Sequence, residues 1–300
     1  MNYGKIGEIA RKHGAEVLYD ESIAKYTTFN IGGVCDVIVF ADSSPLVVEL
    51  ITECRKSDIK YYVFGHCSNV LISDDGLRGV VIIMTDSLKP LEREDCRIIC
   101  GAGVSLTKVS HEAQRMGLSG MEFAFGIPGK VGGALYMNAG AYGREMKDVV
   151  KYCDYLDSDG TVKRMYVDEM QLSYRHSIFT GSDKVILSVC FELSPGDKDE
   201  INAKMTDLMQ RRRDKQPLEF PSAGSTFKRP EGAFAAKLIE DSGLKGYTVG
   251  GAQVSEKHSG FVINRGGATC KDVKKIIEDI KEKVYADSGI KLECELITVE

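Results

Sequence analysis

No stretch of this 300-residue chain approaches the run of ~20 apolar residues that a membrane span needs. Its beginning, MNYGKIGEIARKHGAEV, carries charges throughout and lacks an apolar signal core. A cytoplasmic protein with no membrane partner is therefore expected. Basic excess is missing too: 39 Lys and Arg stand against 44 Asp and Glu, a formal net charge of −5. Nucleic-acid binders carry a basic footprint, so that class is not expected. The local run QRRRDK (210–215) reads as the solvated face of a helix. The nine cysteines form no CxxC pair, and an odd number spread through apolar runs indicates reduced, buried thiols and no metal site.

Several catalytic signatures are also missing. No Gly-Lys-Ser/Thr triplet completes a Walker loop. GAGVSL (101–106) fails the dinucleotide GxGxxG pattern at its last position. AGSTF (223–227) has Phe227 where the nucleophile elbow of a hydrolase needs its second glycine. Histidines are few, at 13, 66, 111, 176 and 258, and none stands in a triad context.

What is present describes an ordinary globular chain, 43% hydrophobic and 28% charged, long enough for two or three domains. VCDVIVFA (34–41) reads as a strand. SPLVVELITECRKSD (44–58) follows as a helix with Ser44 as N-cap, Pro45 at the first helical position, and Leu46, Leu50, Ile51 and Cys54 on one face. YYVFG (61–65) and GVVIIM (79–84) are further strands. A second block holds a helix over 105–116 stopped by Gly117, a hairpin turning at Ser158-Asp159-Gly160, and a strand at 185–193. SPGDKDE (194–200) is the best linker. Helices over 199–213, 231–242 and 269–287, two short strands and a last strand over 290–299 complete a mixed α and β chain.

The densest feature is GIPGKVGGALYMNAGAYG (126–143), with six glycines in eighteen positions. It suits either close approach of backbone N–H groups to an anion or a set of tight turns. FGHCSNVLISDDGLRG (64–79) places Ser68 and Asn69 after a strand, as ligand donors or as local turn caps. Ser225, in PSAGSTFKRPEG, reads locally as a turn residue. Glu295 alternates out of the apolar face formed by Ile290, Leu292, Cys294 and Leu296, and is expected to face solvent. Arg175, in LSYRHSIF, reads as a surface or interface arginine.

In order along the chain, YTTFNIGG, SNVLISDDGLRGVVI, GIPGKVGGALYMNAGAYG, YRHSIF, AGSTFKRP and LECE resemble the UDP-N-acetylenolpyruvoylglucosamine reductase family. The resemblance runs from Tyr26 to the C-terminus. YRHS, without a tyrosine-loop insertion, is similar to the shorter of its two types. The resemblance implies an α+β fold: a two-subdomain FAD-binding domain of the vanillyl-alcohol-oxidase (PCMH) type, at 1–84 and 85–195, and an α/β substrate-binding domain at 196–300. It implies non-covalent FAD held by Gly65, Cys67, Ser68, Asn69, Gly126, Pro128, Gly129, Gly132, Gly133, Asn138, Gly140 and Ala141. NADPH is the implied hydride donor and UDP-N-acetylglucosamine enolpyruvate the implied substrate, in peptidoglycan precursor synthesis. Ser225 is the implied proton donor, with Arg175 and Glu295 as catalytic partners and Tyr174, Lys228, Gln253 and His258 as substrate contacts. An FAD-dependent oxidase on the same scaffold is the alternative, and a non-enzymatic flavin- or nucleotide-binding protein with a degenerate site is a third. The chain departs from the family pattern at Cys67 (usually glycine), Lys130 (usually small), Asn30 (usually basic) and Ala236 (commonly glycine).

Overall fold

The structure, a computed structural model, describes residues 3–86 and 92–300. The chain forms two compact units: residues 1–19, 37–66 and 79–210 make the first, and residues 20–36, 67–78 and 211–300 the second. This division differs from three consecutive segments, because the second unit takes in 20–36 and 67–78. Its boundary near residue 210 falls within a helix rather than in the polar stretch 194–200. That stretch forms the short strand Ser194–Pro195, paired with Leu118–Ser119, and then Asp197, whose carboxylate accepts from the Asp199 and Glu200 amides at the helix start.

The first unit contains α1 (Gly4–Lys12), α2 (Ser44–Lys56), α3 (Leu106–Met116) and α4 (Val131–Tyr136); α5 (Lys198–Lys215) begins in it. In α2 the N-cap is Ser43, not Ser44: Ser43 is still extended at φ −147, ψ 146, and Pro45 occupies the first turn, where no N–H is required. Leu46, Val47, Leu50, Ile51 and Cys54 are fully buried along one face, each large aliphatic side chain contributing about 1.5–3 kcal/mol of burial. α3 has its hydroxyl cap, Ser105 accepting from the Lys108 amide, and ends at Gly117 with φ +72. One sheet has the order Val17–Ser22, Val34–Ala41, Leu77–Met84, Tyr61–Phe64, its last pair parallel. The other has five strands in the order Val162–Tyr166, Val150–Leu156, Val185–Glu192, Arg97–Gly101, Glu92–Glu94, all neighbours antiparallel. Both sheets and helices α1 to α4 share one apolar core.

The second unit packs α6 (Ala235–Asp241) and α7 (Cys270–Ser288) on an antiparallel sheet ordered Ser222–Ser225, Phe261–Asn264, Ala252–Val254, Thr248–Val249. Val273, Ile276, Ile280 and Val284 of α7 form the inner stripe of a separate core with Phe29, Ile31, Leu71, Phe227 and Leu296. α6 starts four residues later than its pattern suggests, since Gly232 takes φ +69 and Phe234 is extended. The last strand is also shorter. Only Ile297–Val299 joins a ladder, parallel to Val70–Ile72, while residues 290–296 have the single bridge Phe227↔Cys294. A segment without a continuous partner edge cannot form a strand, whatever its alternation.

Candidate active site

Two glycine-containing loops carry most of the expected cofactor residues. In the first unit, residues 126–132 are strapped to the 102–106 segment by three backbone bonds: Leu106 N to Gly129 O (3.0 Å), Val131 N to Val104 O (2.9 Å) and Gly132 N to Ala102 O (2.8 Å). Gly132 is required for this approach, because a Cβ there would stand 2.7 Å from the Ala102 Cβ. Gly133, one residue on, is exposed, with no heavy atom within 4 Å of where its Cβ would be. Gly140 and Ala141 pair with Arg144 and Glu145 in a tight hairpin. The His66 ring donates through Nδ1 to Pro128 O at 3.2 Å. Lys130, a departure from the family pattern, is not a free phosphate contact. Its ammonium pairs with Asp86 at 2.5 Å, and its stem fills the space that the missing Gly65 side chain leaves.

Cys67, Ser68 and Asn69 belong to the second unit. Cys67 is buried at φ +48, the left-handed conformation that glycine adopts without cost. The cysteine keeps the glycine geometry, and burial pushes its thiol up to about 12. Asn69 is tied to the C-terminal segment: its side chain donates to Glu295 O (3.2 Å), and its own carbonyl accepts from Ile297 N (3.1 Å). Among the described residues, the amides of 66–69 and of Gly133 donate no hydrogen bond to the protein. Amides without a protein acceptor in one loop, and an open glycine edge in the other, each suit a group that carries phosphates and a flat ring system. The residues present therefore fit FAD.

In the second unit the segment that follows Ser225 pairs with the segment that carries Glu295. Gly224 has φ +78 at a register irregularity between Ser222 and Ser225, a bulge that turns the exposed Ser225 at the strand end. The next residue is buried. Thr226 donates to Gly260 O (2.8 Å), and its carbonyl accepts from Glu295 N (2.9 Å). Glu295 is only partly buried between the buried Leu292 and Leu296, in keeping with the alternation. Lys228 lies on the same pairing, its amide donating to Glu293 O at 2.9 Å and its ammonium 3.3 Å from the exposed Glu293 carboxylate. Gln253 spends its amide protons on Thr248 Oγ1 (3.0 Å) and Gly246 O (3.3 Å), a turn-capping role. His258 accepts from Gly260 N through Nδ1 (3.2 Å), and burial lowers its pKa from the ordinary value.

Tyr174 and Arg175 belong to the first unit, at the tip of a tight turn closed by reciprocal bonds between Ser173 and His176, 3.1 Å each. Arg175 has φ +54, its guanidinium carbon lies 5.0 Å from the Tyr174 ring centroid, and Nη2 donates to Gly140 O at 3.5 Å. No inserted loop separates the two residues. The turn is fastened by Asn138 and by Ser177, whose hydroxyl donates to Tyr136 O at 2.6 Å. Sequence reasoning missed these anchors. Ser177 lies within YRHSIF without any role attached to it, Ser173 just before it is unmarked, and Asn138 is expected only as a flavin contact.

The glycine-rich segment and the arginine turn lie in the first unit, and the 67–69 loop, Ser225 and Glu295 in the second. Comparisons with known proteins give the class, a flavin-binding oxidoreductase. The family described as FAD binding domain matches residues 35–166, and the UDP-N-acetylenolpyruvoylglucosamine reductase C-terminal domain matches residues 216–299. A UDP-N-acetylenolpyruvoylglucosamine reductase of Agathobacter rectalis is 48% identical over 292 residues, covering 93% of each chain. One from Clostridium botulinum is 46% identical, covering 93% of this chain and 91% of the relative. The crystal structure of the Thermus caldophilus reductase superposes with a TM-score of 0.80 at 31% identity, over 95% of this chain and 99% of that one. The chain belongs to the UDP-N-acetylenolpyruvoylglucosamine reductase family: an FAD-containing oxidoreductase of peptidoglycan precursor synthesis with NADPH as reductant. Among the described residues no helix is long and apolar enough to cross a membrane.

Proposed function

We propose that this chain reduces the enolpyruvyl group of UDP-N-acetylglucosamine enolpyruvate to give UDP-N-acetylmuramate, in the cytoplasm and as the shorter type of its family. Bound FAD supplies the hydride chemistry, from NADPH to C3 of the enolpyruvyl group. Gly65, Cys67, Ser68, Asn69, Gly126, Pro128, Gly129, Gly132, Gly133, Gly140 and Ala141 hold the cofactor, whereas Asn138 spends its side chain inside the protein; the three parts of the chain (1–84, 85–195 and 196–300) serve as two flavin subdomains and a substrate domain.

Ser225 delivers the proton to C2, so that one C–H bond forms from hydride and one from the hydroxyl proton. A neutral hydroxyl is a poor acid and serves only a strongly basic acceptor, which a carbanion beside a carboxylate is. Arg175 binds the substrate carboxylate with its planar fork and stabilises the charge that builds there. Glu295 acts on the same carboxylate. Tyr174 and Lys228 contact the UDP-sugar, with Gln253 and His258 shaping the walls from the turns they cap.

The observation that supports this reading is the bond from Glu295 N to Thr226 O, which pairs the glutamate's backbone with the residue that follows the serine. An oxidase on the same scaffold has no use for that pairing. The test is Ser225→Ala. Bleaching of the flavin by NADPH is expected to persist, while reoxidation by the enolpyruvyl UDP-sugar slows by about 10²–10⁴-fold, the usual worth of a positioned general acid. Full substrate-dependent reoxidation in that variant would remove Ser225 from the role. Rapid reoxidation by air with no response to the UDP-sugar would favour the oxidase.

A further inference from the structure

Asn138 has no exposed surface and holds φ +42 just after α4. Its side chain is consumed inside the protein. Nδ2 donates to Ser173 O at 2.9 Å and to Glu145 Oε2 at 3.1 Å, and Oδ1 accepts from Lys147 N at 2.9 Å. Both amide protons and the carbonyl oxygen are thus engaged, which leaves no side-chain group for a flavin. What Asn138 grips is the turn whose tip carries Arg175, and the Arg175 guanidinium returns to Gly140 O, two residues past Asn138. The result is a closed ring: Asn138 side chain, Ser173 carbonyl, Arg175, Gly140, and the backbone back to Asn138.

We propose that Asn138 is a positioning residue for Arg175, holding the arginine turn on the glycine-rich segment so that the guanidinium is fixed before substrate arrives. The inference rests on Arg175 as the carboxylate-binding group. Asparagine meets two demands at once here. It tolerates the left-handed backbone, and it offers two donors to a carbonyl and a carboxylate. Aspartate would keep the bond from Lys147 N but turn lone pairs toward both Ser173 O and Glu145. Arg175 itself sits at φ +54, a conformation that a non-glycine residue keeps only when its surroundings enforce it. The Asn138 bond to Ser173 O is part of that enforcement.

The test uses Asn138→Gly, which keeps the backbone conformation and removes the grip, and Asn138→Asp, which keeps the shape and removes the donors. Each is combined with Arg175→Ala in a double-mutant cycle. Flavin affinity, read from flavin fluorescence, and bleaching by NADPH are expected to stay at the level of the unmodified protein. Reoxidation by the enolpyruvyl UDP-sugar is expected to fall by about 10²-fold in each Asn138 variant, the effect of displacing a binding group by roughly an ångström. The double variants are expected to be no slower than Arg175→Ala alone, because residues that act through one another are not additive. Additive losses, or a loss of flavin affinity in parallel with activity, would overturn the inference. Normal reoxidation in both Asn138 variants beside a slow Arg175→Ala would overturn it and leave the arginine reading intact. Normal reoxidation in Arg175→Ala would overturn both.

Discussion

Gly224→Ala separates backbone strain from chemistry at the proposed proton donor. Gly224 holds φ +78, and no heavy atom lies within 4 Å of the position a Cβ would take. The substitution therefore costs no steric clash, only the left-handed conformation, which is worth about 1–2 kcal/mol for an L-residue. Gly289, at the C-terminal end of α7, provides a matched control: φ +71, again with nothing within 4 Å, and in the same unit. Both alanine variants should lose about 1–2 kcal/mol and melt a few degrees lower, since 1 kcal/mol moves the midpoint by about 2–4 °C in proteins of about 150–250 residues and by less in a longer chain. Only Gly224→Ala relaxes the bulge that turns Ser225. Its reoxidation by substrate should fall by up to about 10²-fold, while its reduction by NADPH is unchanged. Stopped-flow absorbance of the flavin reads the two half-reactions separately, and a thermal melt reads stability. Equal loss of reoxidation in both variants would show that general softening of the unit, not the aim of Ser225, limits the rate. Normal reoxidation in a destabilised Gly224→Ala would show that the bulge has no catalytic meaning.

Two further outcomes follow from the cofactor loop and from the buried histidine. At Cys67, φ +48 and full burial of the thiol oppose each other. Cys67→Gly should thus be within about 1 kcal/mol of neutral, whereas Cys67→Val, β-branched in a left-handed turn, should cost more than about 2 kcal/mol, both read from urea midpoints with flavin bound. His258 is held neutral by burial, with its pKa below the ordinary 6.5. Between that lowered value and 6.5 the unfolded chain binds more protons than the folded one, so stability falls as pH drops below 6.5. His258→Gln should flatten that slope, and an unchanged urea midpoint against pH profile between pH 6.5 and 5 would contradict the burial argument.

Much of this was legible in order along the chain. The strand Val34–Ala41, the apolar stripe of α2, the Ser105 and Gly117 ends of α3 and the turn at 158–160 follow from local spacing and capping, and each forms as that spacing implies. Ser225 was another matter. Its neighbours suggest only a turn, and six ordered motifs, not local chemistry, single it out. The length of the last strand escaped the pattern because alternation reports which faces are apolar and says nothing of whether a partner edge exists. The family resemblance implies a flavin contact at Asn138, and its side chain is turned inward to Ser173 O and Glu145.

The sequence by itself determined the periodic elements, the reduced thiols, the acidic balance and the family, since these depend on side-chain type and short-range spacing. Only the tertiary structure decided which residues act on which. Thr226 meets Glu295 across some seventy residues of chain, and Asn138 grips a turn 35 residues away. Such pairings depend on sheet register and on where each backbone group finds its hydrogen-bond partner, and neither is written in the spacing of any one segment.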